Sequence, residues 1–225
     1  MSSKPLILGY WATRSRAGVL RNLLDYCKLP YTQKLYRDPE EWKHDKKELG
    51  FKYPNLPYII DDSKKMSETL ALMTYIPRRA GRKDLVGDTD MKQVEVFEAI
   101  GVAIDLRDRI RGLVSTKGDF ETEKIKLFTG ERSSARMKLQ QFDDVLKQRE
   151  WLIGSDLTIA DFYLFERLDL IYDMDPAMLQ HFPDLVAFRE RFLQIPEVAN
   201  HRKSENFIAL WQKPGETTWN NGDKW

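Results

Sequence analysis

Apolar positions along the first eighty residues switch between two periods. Leu6–Tyr10 is a short apolar run of strand type. Ala17, Leu20, Leu24 and Cys27 then recur at helical spacing, with Ser15 as a candidate N-cap. Lys28-Leu29-Pro30 should stop that helix, because proline has no N–H with which to continue it. Tyr31–Tyr36 reads as a second strand and Tyr58–Ile60 as a third, with Asp61-Asp62-Ser63 turning into a short fourth around Lys65-Met66. Thr69, Leu72, Met73 and Ile76 mark another helix, which Pro77 is expected to end or kink. The order βαβ, β-turn-β, α fits a small α/β sandwich of several kinds.

Gly81–Asp88 reads as a linker, and beyond it strand signals disappear. Val94, Phe97, Gly101 and Ile104 fall on one helical face. So do Leu139, Phe142 and Leu146, then Phe162, Phe165 and Leu168, then Phe188, Phe192 and Ile195. The second half is therefore expected to hold about five helices and no sheet. Thr158-Ile159-Ala160-Asp161 has the form of an N-capping box with Asp in place of the usual Glu. Its role is in folding rather than in chemistry. The tail from Pro214 to Trp225 is rich in Gly, Asn and Thr and either hangs loosely or lies over a site.

The 225 residues suit one large or two small domains, and 42% hydrophobic content is enough for a normal core. Thirty-six basic and 35 acidic residues nearly cancel, which argues against nucleic acid or an anionic membrane as partner. A single cysteine, Cys27, excludes an intrachain disulfide and fits a reducing compartment. It sits at an apolar helical position without the C-x-x-C spacing of a redox site, so a structural thiol is expected. Three scattered histidines and one cysteine offer no metal-ligand spacing. The apolar run in MSSKPLILGYW is too short for a signal peptide, and no stretch approaches the roughly 20 apolar residues that span a bilayer.

The residues with chemistry to offer lie early in the chain. Leu8-Gly9-Tyr10-Trp11 ends a strand with a phenol and an indole. Pro54-Asn55-Leu56-Pro57-Tyr58 brackets a backbone edge with prolines, and Glu68-Thr69 heads a helix. A phenol, a free backbone edge and a helix N-terminus suit a small peptide thiol. A free thiol has a pKa of about 8.5, and its anion is the nucleophile. Lowering that pKa by about two units needs roughly 2.7 kcal/mol, which is about what one hydrogen bond to a charged acceptor supplies. Tyr10 is the candidate donor.

In wording and spacing these segments resemble the mu class of the cytosolic glutathione transferases, from Leu6 to about Phe207. The resemblance implies an α+β N-terminal thioredoxin-like domain over residues 1–84 and an all-α C-terminal helical domain over 85–225 that forms the electrophile pocket. It implies a glutathione S-transferase that conjugates the glutathione thiolate to electrophilic small molecules in detoxification. Glutathione would be a co-substrate and the second partner a hydrophobic electrophile. The enzyme would be a cytoplasmic homodimer with no permanently bound cofactor. Tyr10 would stabilise the thiolate and Trp11 would line the pocket. Trp42 and Lys46 would hold the glycyl carboxylate, and Asn55, Leu56 and a cis Pro57 would present the backbone edge. Glu68 and Thr69 would hold the γ-glutamyl end, helped by Asp105 from the partner subunit. Tyr53 falls where the family has an aromatic key that enters the partner.

Three departures from the family pattern stand out. The stretch between Tyr36 and Trp42 is shorter than the mu-class loop, which opens the pocket and makes the sigma class the nearest rival. Ser15 and Arg16 replace a glycine and an apolar residue. Ser115 stands where many mu enzymes have a tyrosine that assists epoxide opening. A sigma-like glutathione-dependent isomerase and a non-catalytic carrier of the same fold remain open alternatives.

Overall fold

The computed structural model describes residues 4–128, 134–213, 216 and 219. Strands β1 (Leu6–Trp11), β2 (Tyr31–Tyr36), β3 (Tyr58–Asp61) and β4 (Lys64–Ser67) form one sheet in the order β2-β1-β3-β4. Helix α1 (Gly18–Tyr26) carries the chain back between β1 and β2, so these two run parallel. β3 pairs antiparallel with both β1 and β4. Helix α2 (Pro39–Glu48) follows β2, and α3 (Thr69–Arg79) follows β4. α2 starts where local chemistry favours it: Asp38 accepts the Glu40 N–H at 2.9 Å, and Pro39 occupies the first turn.

Several elements differ from the expectations. Ser15 is not the N-cap of α1. It opens a 3₁₀ turn, Ser15–Ala17, and α1 then begins at Gly18 without a side-chain cap. Pro77 does not end α3, which continues to Arg79. Its missing N–H is tolerated because its own carbonyl still accepts the Arg82 N–H at 2.8 Å, and Ala80 still donates to Ile76 at 3.1 Å. The stretch 81–88 is more than a linker: Leu85 and Val86 of a short 3₁₀ helix, Lys83–Val86, are fully buried.

Six α-helices follow among the described residues, one more than expected: α4 (Asp90–Val114), α5 (Phe120–Phe128), α6 (Ser134–Leu146), α7 (Ile159–Met174), α8 (Pro183–Leu193) and α9 (Pro196–Lys203). α5 was missed because it buries only Phe128 and so has no apolar stripe to detect. α4 carries two apolar stripes. The core takes Val96, Ile100, Ala103, Leu106, Ile110 and Leu113, while Val94 and Phe97 are 58% and 38% exposed. Periodicity alone does not say which stripe faces inward.

α7 lies at the centre, buried continuously from Ile159 to Ile171. Its capping box forms as expected. Asp161 accepts the Thr158 N–H at 2.8 Å and also the Leu152 N–H at 2.8 Å, which ties the preceding loop to the helix. Burial pushes the Asp161 carboxyl up to about 6, against the pull of these donors.

One hydrophobic core runs through both halves, joining Leu8, Leu20 and Ile59 to Phe162, Phe165 and Phe192. A smaller cluster gathers Tyr10, Tyr36, Phe51, Leu56 and Tyr58, with Trp11 and Trp42 against it. Gly9 lets this second cluster close. A Cβ there would lie 2.0 Å from the Tyr58 ring, so the ring occupies the space a side chain would need. Gly9→Ala should therefore lower the unfolding free energy by about 1–3 kcal/mol in urea denaturation, with a matching fall in Tm. A variant as stable as the parent would show that Tyr58 can move aside.

Candidate active site

Tyr10 and Trp11 close strand β1, where Tyr10 pairs in register with Leu35 and Trp11 with Tyr36. The Tyr10 side chain is 6% exposed and lines a cleft of about 250 Å³, together with Ser15, Arg16, Arg111 and Ser115. Burial pushes the Tyr10 phenol above its ordinary value. The Ser15 hydroxyl, the Arg16 backbone N–H and the charges of Arg16 and Arg21 pull the other way without overcoming it. The phenol is therefore neutral in neutral solution and can donate a hydrogen bond. Ser15, misread as a helix cap, has its effect here.

Trp42 is positioned by aromatic packing. It stacks on Tyr58 at 6.1 Å and meets Tyr36 edge-on at 5.5 Å, while Trp11 meets Tyr36 edge-on at 6.2 Å. The Tyr36 hydroxyl donates to Asp45 of α2 at 2.7 Å and lies 2.9 Å from the Tyr58 hydroxyl, which fastens α2 to the sheet. Lys46 is exposed in the last turn of α2, four residues after Trp42 and so on its face of the helix.

The Leu56–Pro57 peptide is cis, in agreement with the sequence expectation. Its neighbourhood departs from that expectation in one respect. The Leu56 N–H is not a free edge but donates to Asn55 Oδ1 at 2.9 Å. Asn55 Nδ2 in turn donates to Glu68 Oε1 at 2.8 Å, so the backbone edge and the helix head form one unit. Glu68 has φ +73°, a conformation that side chains rarely adopt, and it leads into Thr69, the first residue of α3. No side chain caps that N-terminus, which leaves its N–H groups available to an anion.

Asp105, expected to serve the partner subunit's site, is on α4 and does not line its own chain's cleft. Its carboxylate pairs with Lys138 Nζ of its own chain at 2.9 Å, which holds it below the usual carboxylate range. Tyr53 is 66% exposed. Ser115 caps the C-terminal end of α4 and lines the cleft. The C-terminal segment contributes Gln212, Lys213 and Glu216 to the cleft. Most of the tail beyond Pro214 lies outside the described residues, but Trp219 donates its indole N–H to the Val114 carbonyl at 2.9 Å. Cys27 is half-buried, and burial pushes its thiol up to about 11, so it stays protonated.

Sequence reasoning missed Arg14. It is 2% exposed and bonds Glu166 at 2.8 Å and Asp169 at 2.6 Å, both on α7. Asp169 also receives Arg189 at 2.6 Å and Arg202 at 2.7 Å. The Trp211 ring covers the Arg14 guanidinium at 4.0 Å. The signal was present: Glu166 and Asp169 are two acids three apart in a helix rich in large apolar residues, and two buried carboxylates demand cations nearby.

No group of three or more His, Cys, Asp or Glu among the described residues could hold a metal, and no helix there is long and apolar enough to cross a membrane.

Comparison with known proteins agrees with this geometry. The family descriptions "Glutathione S-transferase, N-terminal domain" and "Glutathione S-transferase, C-terminal domain" match residues 7–78 and 104–205. The chain is 34% identical to the glutathione S-transferase class-mu 26 kDa isozyme of Schistosoma japonicum over 96% of this chain and 97% of that one. It is 32% identical to glutathione S-transferase Mu 4 of Mus musculus, covering 96% and 99%. This chain belongs to the glutathione S-transferase family. The fold agrees as well: the crystal structure of the glutathione S-transferase Blo t 8 superposes with a TM-score of 0.81 at 25% identity, over 95% of this chain and 99% of that one.

The mu-class resemblance drawn from LGYW and PNLPY is thus borne out. In this glutathione S-transferase the mu-class loop before Trp42 is replaced by a helix start, since α2 begins three residues after β2 ends. The segment bearing Ser15 and Arg16 is held against α7 by Arg14. Arg14→Met leaves Glu166 and part of Asp169 buried without their cation, and should lower the unfolding free energy by about 3–5 kcal/mol in urea denaturation. A loss below about 1 kcal/mol would mean that Arg189 and Arg202 carry the cluster without it.

Proposed function

We propose that this protein conjugates the thiol of glutathione to electrophilic small molecules, with the Tyr10 hydroxyl donating a hydrogen bond to the thiolate. The observation that carries the reading is the phenol itself. It is neutral by burial, and it lines a cleft between the end of β1 and helix α4. A donor that stays protonated favours the thiolate without taking up its proton. The thiolate then attacks an electrophilic carbon. A C–S bond forms, and either a leaving group departs with its electron pair or the electrons of a conjugated alkene move to the adjacent carbon, which takes a proton from solvent. Holding both reactants in one cleft removes much of the bimolecular penalty.

Glutathione itself would lie along the sheet edge. Trp42 and Lys46 share a helix face and offer an indole N–H and an ammonium to the glycyl carboxylate. Leu56 offers its backbone to the cysteinyl residue once the tripeptide competes with Asn55 for the Leu56 N–H. Glu68 and the uncapped N-terminus at Thr69 suit the γ-glutamyl ammonium and carboxylate. Residues 1–84 would form the glutathione-binding domain and residues 85–225 the helical domain.

We read the working form as a homodimer, the commonest arrangement of soluble oligomers. Exposed Tyr53 would be the key to the partner, and Asp105 would exchange Lys138 for the partner's bound ammonium. A detoxifying role in the cytoplasm accords with the mu-class relatives, and these favour a transferase over a sigma-like isomerase or a carrier.

Tyr10→Phe should cut kcat for a generic aryl halide by about tenfold to a hundredfold. It should also move the pH midpoint of activity up by about two units, toward that of a free thiol. The glutathione KM should stay nearly constant. An unchanged pH–rate profile would reject the assigned role.

A further inference from the structure

The cleft beside Tyr10 holds more positive charge than an uncharged electrophile requires. Arg16, Arg107, Arg111, Arg167 and Lys213 all line it, and Glu216 is the one acid among its described lining residues. Two of the cations are answered within the protein. Arg107 donates to Asp108 at 2.7 Å, and Lys213 lies 3.7 Å from Glu216 and 3.5 Å from the centre of the Trp11 ring. Arg16, Arg111 and Arg167 have no carboxylate within 4.0 Å among the described residues.

Arg167 is the decisive one. It is 5% exposed, its guanidinium lies over the Tyr163 ring at 5.4 Å, and its buried Nε has no hydrogen-bond partner. A buried guanidinium with an unmet donor is costly, and the attraction of Tyr163 and Glu166 is set against the repulsion of neighbouring Arg107 and Arg14. The glutathione-binding groups named above, from Trp42 to Thr69, do not line this cleft. Ile110, Val114 and Leu170 give it an apolar wall on the same side as the arginines.

We propose that the second substrate is an anionic electrophile. It would be a small molecule with an apolar body and a carboxylate group, the carboxylate held by Arg167 and Arg111 and the reactive carbon turned toward Tyr10. A planar carboxylate matches the paired N–H groups of a guanidinium, and such charge-assisted bonds are about twice as strong as neutral ones. Arg16, exposed at the cleft's rim, draws the anion in. This inference rests on the conjugating activity proposed above and adds the class of molecule conjugated.

The test compares chlorodinitrobenzene with chlorodinitrobenzoate in the full-length protein. In both, the thiolate attacks the ring carbon bearing chlorine, the C–S bond forms, and chloride leaves with the bonding pair. The thiol proton passes to solvent, and the carboxylate is untouched. Each kcat/KM is divided by the rate constant of the same halide with glutathione alone. The normalised ratio should favour the benzoate by about tenfold or more. It should fall toward one in Arg111→Gln, in Arg16→Gln and at high salt. Arg167→Gln should act likewise, and the two exposed variants keep the test open if that buried change impairs folding. A ratio near or below one in the parent would overturn the inference, and so would a ratio that survives both exposed variants. A rise in glutathione KM with no change in the ratio would also overturn it, by assigning the arginines to glutathione. If neither halide is turned over, the conjugating activity itself fails, which is a separate result.

Discussion

The bond from Arg14 to Glu166 and Asp169 is the constraint on which the site depends. Arg14 follows β1 by three residues, and the two carboxylates stand one turn apart on the most buried helix of the second half. Neither charge is tolerable in that interior alone. Together they hold the segment between β1 and α1 against α7. The Arg14 backbone N–H also donates to the Leu210 carbonyl at 2.6 Å, so the C-terminal segment joins the same clasp. Ser15 and Arg16 belong to the stretch held by this clasp, and Tyr10 lies in the strand that leads into it. The cleft lies where the end of β1 and the helical half are locked together.

Within that frame, chemistry divides by location. On the sheet side, aromatic packing around Tyr36, Tyr58 and Trp42 sets the angle of α2, and the Asn55–Glu68 bond joins the cis-proline turn to the head of α3. On the helical side, α4 and α7 line the cleft beside Tyr10 with arginines as well as apolar side chains. The phenol stands between a surface suited to a zwitterionic peptide and one suited to an anion. Its neutrality is itself a product of packing: burial raises its pKa and keeps the hydroxyl protonated as a hydrogen-bond donor.

Much of this was legible in local pattern. The strand–helix order of the first half and the box at Thr158–Asp161 follow from residue types at short range, where turn chemistry and capping act, while the cis Leu56–Pro57 peptide was expected from the family resemblance. The errors share a cause. Ser15 was assigned to a cap because Ser usually caps, yet its hydroxyl answers a phenol that is adjacent only after folding. The apolar stripe at Val94 and Phe97 was taken as a helix face without a means of telling inside from outside. The seven residues after Gly81 looked like a linker because two buried positions make no period. α5 showed no signal because it buries almost nothing.

The sequence by itself determined the two kinds of architecture, the family and the presence of a phenol at a strand end, because these rest on periodicity and on motifs with fixed short spacing. Only the tertiary structure decided which charges meet. Arg14 and Glu166 are 152 positions apart, and Arg16, Arg111 and Arg167 come from three separate elements. Their pairing, or lack of it, depends on distances through space that no local pattern encodes. The electrostatics of the cleft therefore had to be read from the fold.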